Sequence, residues 1–183
     1  HYLKEAYQKL AWYSLIISND KNNYNIYMNQ CLKIGNTLID EDKQAYNEAK
    51  SKETPDPVLL KSRLLFDGGY FKRADELLTS KVKLYTNHPD EGEYYYRLAR
   101  IKDALHDDVD AIRYYNLAIN KSKSDKYYGC SAALNSGFIY EKNKQYKEAN
   151  TSFNKCLMLN PEGYGNSLHQ KAKLGLERVK GRF

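Results

Sequence analysis

Apolar residues recur along this chain at spacings of three and four positions, which is the period of a helix with one buried face. Residues 166–180 follow this period, and no segment shows the strict alternation typical of a β-strand. A partner helix is expected over 22–38, after the Asn19-Asp20 turn, and a short polar helix near 40–52. In residues 2–18 six side chains fall on one stripe: Leu3, Ala6, Tyr7, Leu10, Ala11 and Leu15. The pattern predicts an all-α protein.

A second pattern sets small residues at fixed distances from aromatic ones in the last third of the chain. Gly137 is followed by Tyr140 after three positions, and Ala149 is followed by Phe153 after four. Small residues let two helices approach closely, and the aromatic rings fill the space around that contact. Pro161 lacks the N–H that would continue the second helix, so it ends the unit. The spacing predicts a pair of packed helices.

The same pattern recurs towards the N-terminus at nearly constant distances. Ala111 lies 38 residues before Ala149, and Ala74 lies 37 residues before Ala111. A Gly68-Gly69 turn precedes Ala74, as expected between the two helices of a unit. Such a period is the signature of stacked repeats, each of which buries its apolar face against its neighbours.

In these residues and spacings the stretch 55–181 resembles the tetratricopeptide repeat (TPR) family, whose pattern is Gly-x2-Tyr, then Ala-x3-Phe, then Pro over about 34 residues. The resemblance implies an α-solenoid of antiparallel helix pairs that stack into a TPR superhelix. The last third also resembles the C-terminal regions of longer TPR proteins from Bacteroidota.

The resemblance divides the chain into three parts. Residues 1–53 are expected to form a degenerate helical repeat with a short helix, and residues 163–183 a C-terminal capping helix. Residues 54–162 are expected to hold three TPR units, at about 55–89, 92–124 and 130–161.

Candidate catalytic and metal-binding groups are few. The 3 cysteines, Cys31, Cys130 and Cys156, form no CxxC motif, and the 4 histidines form no HExxH motif. The sequence His106-Asp107-Asp108 resembles an acid–base cluster, but an aspartate there more simply caps the helix that begins at Val109. We expect buried thiols, a helix cap, no metal or other cofactor, and a protein that is not an enzyme.

The net charge of +6 is confined to one end of the chain. Residues 121–183 hold 12 Lys and Arg against 5 Asp and Glu, whereas residues 1–120 hold 17 against 18. Because these lysines are spread along the segment, we expect a solvated face. An acidic protein partner, nucleic acid or an anionic membrane surface are the alternatives.

The resemblance implies that the first helix of each unit lines a concave face that binds a protein or peptide. The residues expected to form this peptide-binding groove are Arg63, Phe66, Tyr96, Arg100, Asp103, Leu134, Asn135, Phe138, Glu141 and Leu168. Aromatic and Arg side chains are frequent anchors at protein interfaces. The sequence leaves open that these residues instead contact another domain of the same chain, as in an assembly or regulatory module of a bacterial envelope complex.

The chain begins with His1 rather than Met, so we expect it to be part of a longer protein. No apolar run approaches the length of about 18 residues that a membrane span needs. The bacterial periplasm or cell envelope and the cytoplasm both stay open as locations, and the sequence gives no oligomeric state.

Overall fold

The computed structural model describes residues 2–123, 126–161 and 165–183. Within those ranges the chain forms eleven α-helices and no β-strand, which confirms the predicted all-α fold. The helices are α1 (Leu3–Ser18), α2 (Lys21–Lys33), α3 (Asp40–Ser51), α4 (Pro57–Asp67), α5 (Phe71–Thr79), α6 (Val82–Tyr85), α7 (Glu91–Ala104), α8 (Asp108–Lys121), α9 (Tyr128–Lys142), α10 (Tyr146–Met158) and α11 (Gly165–Val179).

The helices belong to two compact units, a first unit from His1 to Leu64 and a second unit from Leu65 to Phe183. The boundary lies inside α4. The predicted repeat limits concern smaller units than these, so they stay predictions. Positions 124 and 163, where the second repeat ends and the capping helix begins in that prediction, lie outside the described residues.

The first unit packs α1 against α2 and α3 around Trp12 and Leu15. The buried face of α1 differs from the predicted stripe, because Leu3 and Leu10 are 49% and 45% exposed. Lys4 and Gln8 are buried in their place. The hydrophobic pattern does not predict this face, because Lys4 and Gln8 are polar. They can be buried because their side chains form hydrogen bonds.

Charged side chains close two helix ends in the first unit. The Lys4 ammonium donates to the carbonyl oxygen of Cys31 at 2.6 Å, in the last turn of α2. The Asp42 carboxylate accepts from the backbone N–H groups of Tyr2 and Glu5, at 3.0 and 2.9 Å, at the start of α1. Each charge has the sign that the adjacent helix dipole favours.

The second unit packs its helices in chain order. α7 contacts α8, α8 contacts α9, and α9 contacts α10, while α11 lies against both α9 and α10. α7 also contacts α9, so the first helices of successive pairs are neighbours. This is the packing of an α-solenoid, and α11 covers the last pair as the predicted capping helix does.

Three turns of the second unit share one backbone conformation. Gly69, His106 and Lys144 have φ angles of 77°, 62° and 59°, in the left-handed region. The residue after each turn residue donates its N–H to the carbonyl oxygen five positions back, at 2.8 to 2.9 Å, which is a Schellman bond at a helix C-terminus. The turn residues are 37 and 38 residues apart, so the architecture is repeat-like with the period of Ala74, Ala111 and Ala149.

Hydrogen bonds between α7 and α9 set the register of these helices. The Tyr128 hydroxyl donates to Glu93 at 2.6 Å, and the Tyr96 and Ser131 hydroxyl groups are 2.9 Å apart. Both pairs are 35 residues apart in sequence. The two helices therefore run in the same direction, side by side.

The ring of Phe153, on α10, is fully buried where α9 and α11 pack against it. Gly137 of α9 and Gly175 of α11 both face this ring. A Cβ atom at Gly137 would overlap the ring, and one at Gly175 would lie 2.6 Å from its Cζ. The close approach predicted for Gly137 is thus confirmed, and α11 makes a second one.

We expect Gly137→Ala to lower the free energy of unfolding by about 1–3 kcal/mol, because the added methyl group overpacks the core. Intrinsic helix propensity acts in the opposite direction, since Ala is favoured over Gly by about 1 kcal/mol. Urea unfolding followed by circular dichroism measures the result. Gly165→Ala is the matched control, because its nearest atoms would lie at 3.8 Å. Equal stability of the two variants would contradict the packing described.

Candidate binding surface

The left-handed turns provide a common reference point for α4, α7 and α9. Phe66, Asp103 and Glu141 each lie three residues before a turn residue, and their carbonyl oxygens accept its N–H at 2.9 to 3.0 Å. All three side chains are partly exposed. The structure therefore places these three predicted residues at equivalent positions, at the C-terminal ends of successive first helices.

A second equivalent position lies one helical turn earlier. It holds Arg63 on α4, Arg100 on α7 and Phe138 on α9. Residues three apart share a helix face, so Arg100 lies beside Asp103 and Phe138 beside Glu141. Arg63 belongs to the first unit, where its guanidinium carbon is 5.2 Å from the centre of the Trp12 ring.

Arg100 is held against aromatic rings. Its guanidinium carbon is 4.1 Å from the centre of the Phe66 ring and 5.9 Å from that of Tyr96. The negative face of an aromatic ring attracts a cation at such distances. The guanidinium group is thereby positioned at the ends of α4 and α7.

A second cation, Arg178 of α11, is fixed at the end of α9. Its Nε and Nη2 atoms each donate to Glu141 at 2.7 Å, and its guanidinium carbon is 5.7 Å from the centre of the Phe138 ring. These hydrogen bonds lower the pKa of Glu141, so the carboxylate stays ionised. We call Phe66, Arg100, Asp103, Asn135, Phe138, Glu141 and Arg178 the candidate surface.

Asp103 lies between these two groups in chain order and is partly desolvated. Burial raises the pKa of this carboxyl group, although the Tyr115 hydroxyl donates to it at 3.4 Å and opposes the shift. A new hydrogen-bond donor stabilises a carboxylate that has lost part of its hydration more than it stabilises a fully solvated one. Asp103 is therefore suited to accept a hydrogen bond from a bound molecule.

The structure places Tyr96 and Leu134, two predicted groove residues, in the core. Their exposed fractions are 5% and 3%. The Tyr96 ring packs 5.8 Å from that of Tyr127 and 5.5 Å from that of Tyr128, centre to centre. Tyr127 immediately precedes α9 and Tyr128 is its first residue, and both cover Tyr96. Tyr96 therefore packs beneath the surface and is not part of it.

Two further predicted residues are divided between surface and core. Asn135 is partly exposed and, in the 35-residue register of α7 and α9, lies level with Arg100. Leu168 packs against the core of the last helix pair, and its carbonyl oxygen faces the Cys156 thiol. Asn135 thus belongs to the candidate surface and Leu168 to the core.

The sequence prediction missed Arg178, although a signal for it was present. Arg178 lies 37 residues after Glu141, which is the distance between successive turn residues. One repeat length after Glu141, the sequence reaches the segment of α11 that contains Arg178. The expectation of a capping helix alone leaves this residue out of the predicted groove.

The groups considered for chemistry have structural contacts. Asp107 is the N-cap of α8 and accepts from the backbone N–H of Asp110 at 3.1 Å, as predicted. Asp108 accepts from Lys142 at 2.7 Å and from Asn143 at 3.0 Å. All three cysteines are buried and free, which confirms the prediction of buried thiols.

In the described part of the chain, no helix combines the length and apolar character needed to cross a membrane. The chain matches none of the protein-family models and none of the curated proteins with which it was compared.

Proposed function

We propose that this chain is a non-catalytic scaffold of the TPR type that binds a segment of a partner protein on the candidate surface. The observation that carries the proposal is the equivalence of Phe66, Asp103 and Glu141, and of Arg100 and Phe138, relative to the left-handed turns. Repetition of partly exposed side chains along neighbouring helices gives a continuous surface that is already formed before binding. A preformed surface loses little conformational entropy on binding.

The chemistry of the candidate surface favours a polypeptide ligand. Arg100 offers guanidinium donors and Asp103 a carboxylate acceptor, and the Arg178 N–H groups that do not bind Glu141 add further donors. Phe138 adds an aromatic ring that is only partly buried. Donors, acceptors and an apolar ring in alternation suit a peptide, whose backbone supplies both hydrogen-bonding groups at every residue.

Selection of a random peptide library displayed on phage, against the immobilised chain, tests the proposal. We expect enriched peptides that share a sequence motif and that compete with one another for a single site. Fluorescence anisotropy then measures the dissociation constant of a labelled representative. Selection that yields no shared motif would contradict a specific peptide-binding surface.

We expect Arg100→Ala and Phe138→Ala each to weaken binding of the selected peptide at least about tenfold, because anchors of this kind carry most of the binding energy at an interface. Arg113→Ala is the matched control for Arg100. Arg113 is also an arginine beside an aromatic ring, 4.3 Å from the centre of the Tyr114 ring, but it lies exposed on α8. Circular dichroism verifies that each variant keeps its helices.

The salt dependence of the same measurement separates this proposal from binding of nucleic acid by the basic third of the chain. Binding on the candidate surface should change little with salt, whereas neutralisation of phosphates gives an affinity that falls steeply. If Arg100→Ala and Phe138→Ala both leave the peptide affinity within about twofold, below the cost of a hot-spot residue, the candidate surface is not the site.

A further inference from the structure

Two cysteine side chains meet in the core of the last helix pair. Cys130 lies on α9 and Cys156 on α10, and their Sγ atoms are 3.1 Å apart. Both residues are buried, with exposed fractions of 1% and 0%. The separation exceeds the length of a disulfide bond by only about 1 Å. A small displacement of two side chains would therefore bring the sulfur atoms to bonding distance.

Hydrogen bonds orient the two thiols. The Cys130 thiol lies 3.3 Å from the carbonyl oxygen of Cys156, and the Cys156 thiol lies 3.9 Å from that of Leu168. The next residue, His169, has its Nε2 atom 2.7 Å from the carbonyl oxygen of Leu159. Because a carbonyl oxygen only accepts, Nε2 is the donor in this contact, which fixes the ring of His169 beside the two thiols.

The surroundings make the two thiols unequal. The hydrogen bond with Cys156, and then His169, lower the pKa of the Cys130 thiol. The hydrogen bond with Cys130, and then burial, raise the pKa of the Cys156 thiol. Of the two, Cys130 is therefore the thiol that ionises more readily. A thiolate next to a protonated thiol is the arrangement in which one sulfur attacks an oxidant and the other resolves the product.

We propose that Cys130 and Cys156 are an oxidative modification site, at which hydrogen peroxide produces a disulfide that joins α9 to α10. A small, uncharged oxidant suits this site because both sulfur atoms are buried. The inference is independent of the proposed peptide binding, since it concerns the core of the last helix pair.

The reaction has two balanced steps. The Cys130 thiolate attacks one peroxide oxygen, the O–O bond breaks, and the leaving hydroxide takes up the proton released by Cys130 to form water. This oxidises the sulfur of Cys130 by two electrons, to a sulfenic acid, and reduces the peroxide. Cys156 sulfur then attacks the Cys130 sulfur, so that the S–S bond forms and the S–O bond breaks. The departing hydroxide takes the Cys156 proton and leaves as a second water.

Mass spectrometry of the intact, folded chain tests the proposal. The reduced chain is treated with hydrogen peroxide, unfolded, and alkylated with iodoacetamide. We expect Cys31 to be the one alkylated cysteine. Before alkylation, the treated chain should weigh two hydrogen atoms less than the reduced chain. Trypsin digestion without reduction should yield peptide 127–142 disulfide-linked to peptide 156–171, since each contains one cysteine. Reduction should separate them.

Cys31 provides the internal controls. Cys31→Ala should leave the joined peptide unchanged, whereas Cys156→Ala should abolish it and leave a sulfenic acid on Cys130 that dimedone labels.

In the wild-type chain the disulfide closes a loop between positions 26 residues apart, so oxidation should raise the thermal midpoint by at least about 5 °C. Three alkylatable thiols after treatment, disulfides between chains only, or a pairing that involves Cys31 would each overturn the proposal.

Discussion

Replacement of Phe153 by Ala should lower the free energy of unfolding by about 3–5 kcal/mol, the range for aromatic side chains removed from a core. Phe153 is fully buried on α10, and its ring lies between Gly137 and Gly175 of the two neighbouring helices. Both glycines lie so close to the ring that a Cβ atom at either position would overlap it, so the ring fills the space between the two helices. Because α9 and α11 are held apart at that distance by their own contacts, the cavity left by the ring collapses only in part.

Urea unfolding followed by circular dichroism measures this loss, and Phe183→Ala is the matched control. Phe183 is 66% exposed, so its removal should change the stability by no more than about 0.5 kcal/mol. A Phe153→Ala variant that loses less than about 1 kcal/mol would mean that the ring is not enclosed as described, because even partial cavities cost more than that.

Replacement of Glu93 by Ala should destabilise the second unit by a similar amount, about 3–5 kcal/mol, because it leaves a buried guanidinium without its partner. Arg97 is 8% exposed, and its Nε atom donates to Glu93 at 2.6 Å. The other carboxylate oxygen of Glu93 accepts from the Tyr128 hydroxyl at 2.6 Å. One substitution thus removes an ion pair within α7 and a hydrogen bond between α7 and α9.

An exposed ion pair provides the comparison. Glu177 and Lys180 lie 3.8 Å apart with side chains that are 72% and 77% exposed, so Glu177→Ala should cost less than about 1 kcal/mol. The double variant Glu93→Met with Arg97→Met should lose less stability than Glu93→Ala, since no charge is then left buried. If the double variant is the less stable one, the cost of an unpaired Arg97 is not the cause.

The repeat architecture could be predicted from sequence because its determinants are local in each unit. Ala74, Ala111 and Ala149 occur at a nearly constant distance, and the turns before them follow the same distance. Small residues at close contacts and turns with defined backbone angles leave a pattern that a single chain displays. The positions of Arg100 and Asp103 follow from that pattern.

Burial of polar and aromatic side chains could not be predicted in the same way. Lys4 is buried because its ammonium donates hydrogen bonds to carbonyl oxygens at the end of α2, which belong to residues 27 and 28 positions away in sequence. Tyr96 is buried because Tyr127 and Tyr128, at the start of α9, cover it. In both cases the deciding partner comes from another helix and leaves no mark on the local pattern.

If the proposed peptide binding holds, the common direction of α7 and α9 fixes the spacing of the side chains that a ligand presents. Neighbouring packed helices are about 10 Å apart, and an extended polypeptide in the polyproline II conformation advances about 3.1 Å per residue with three residues per turn. A peptide that crosses from Arg100 and Asp103 to Phe138 and Glu141 therefore passes one helix about every three residues. Its recognised side chains would recur at every third position, whereas a helical ligand, which advances about 1.5 Å per residue, would need six or seven residues for the same step. The spacing within selected peptides thus distinguishes an extended ligand from a helical one before any complex is solved.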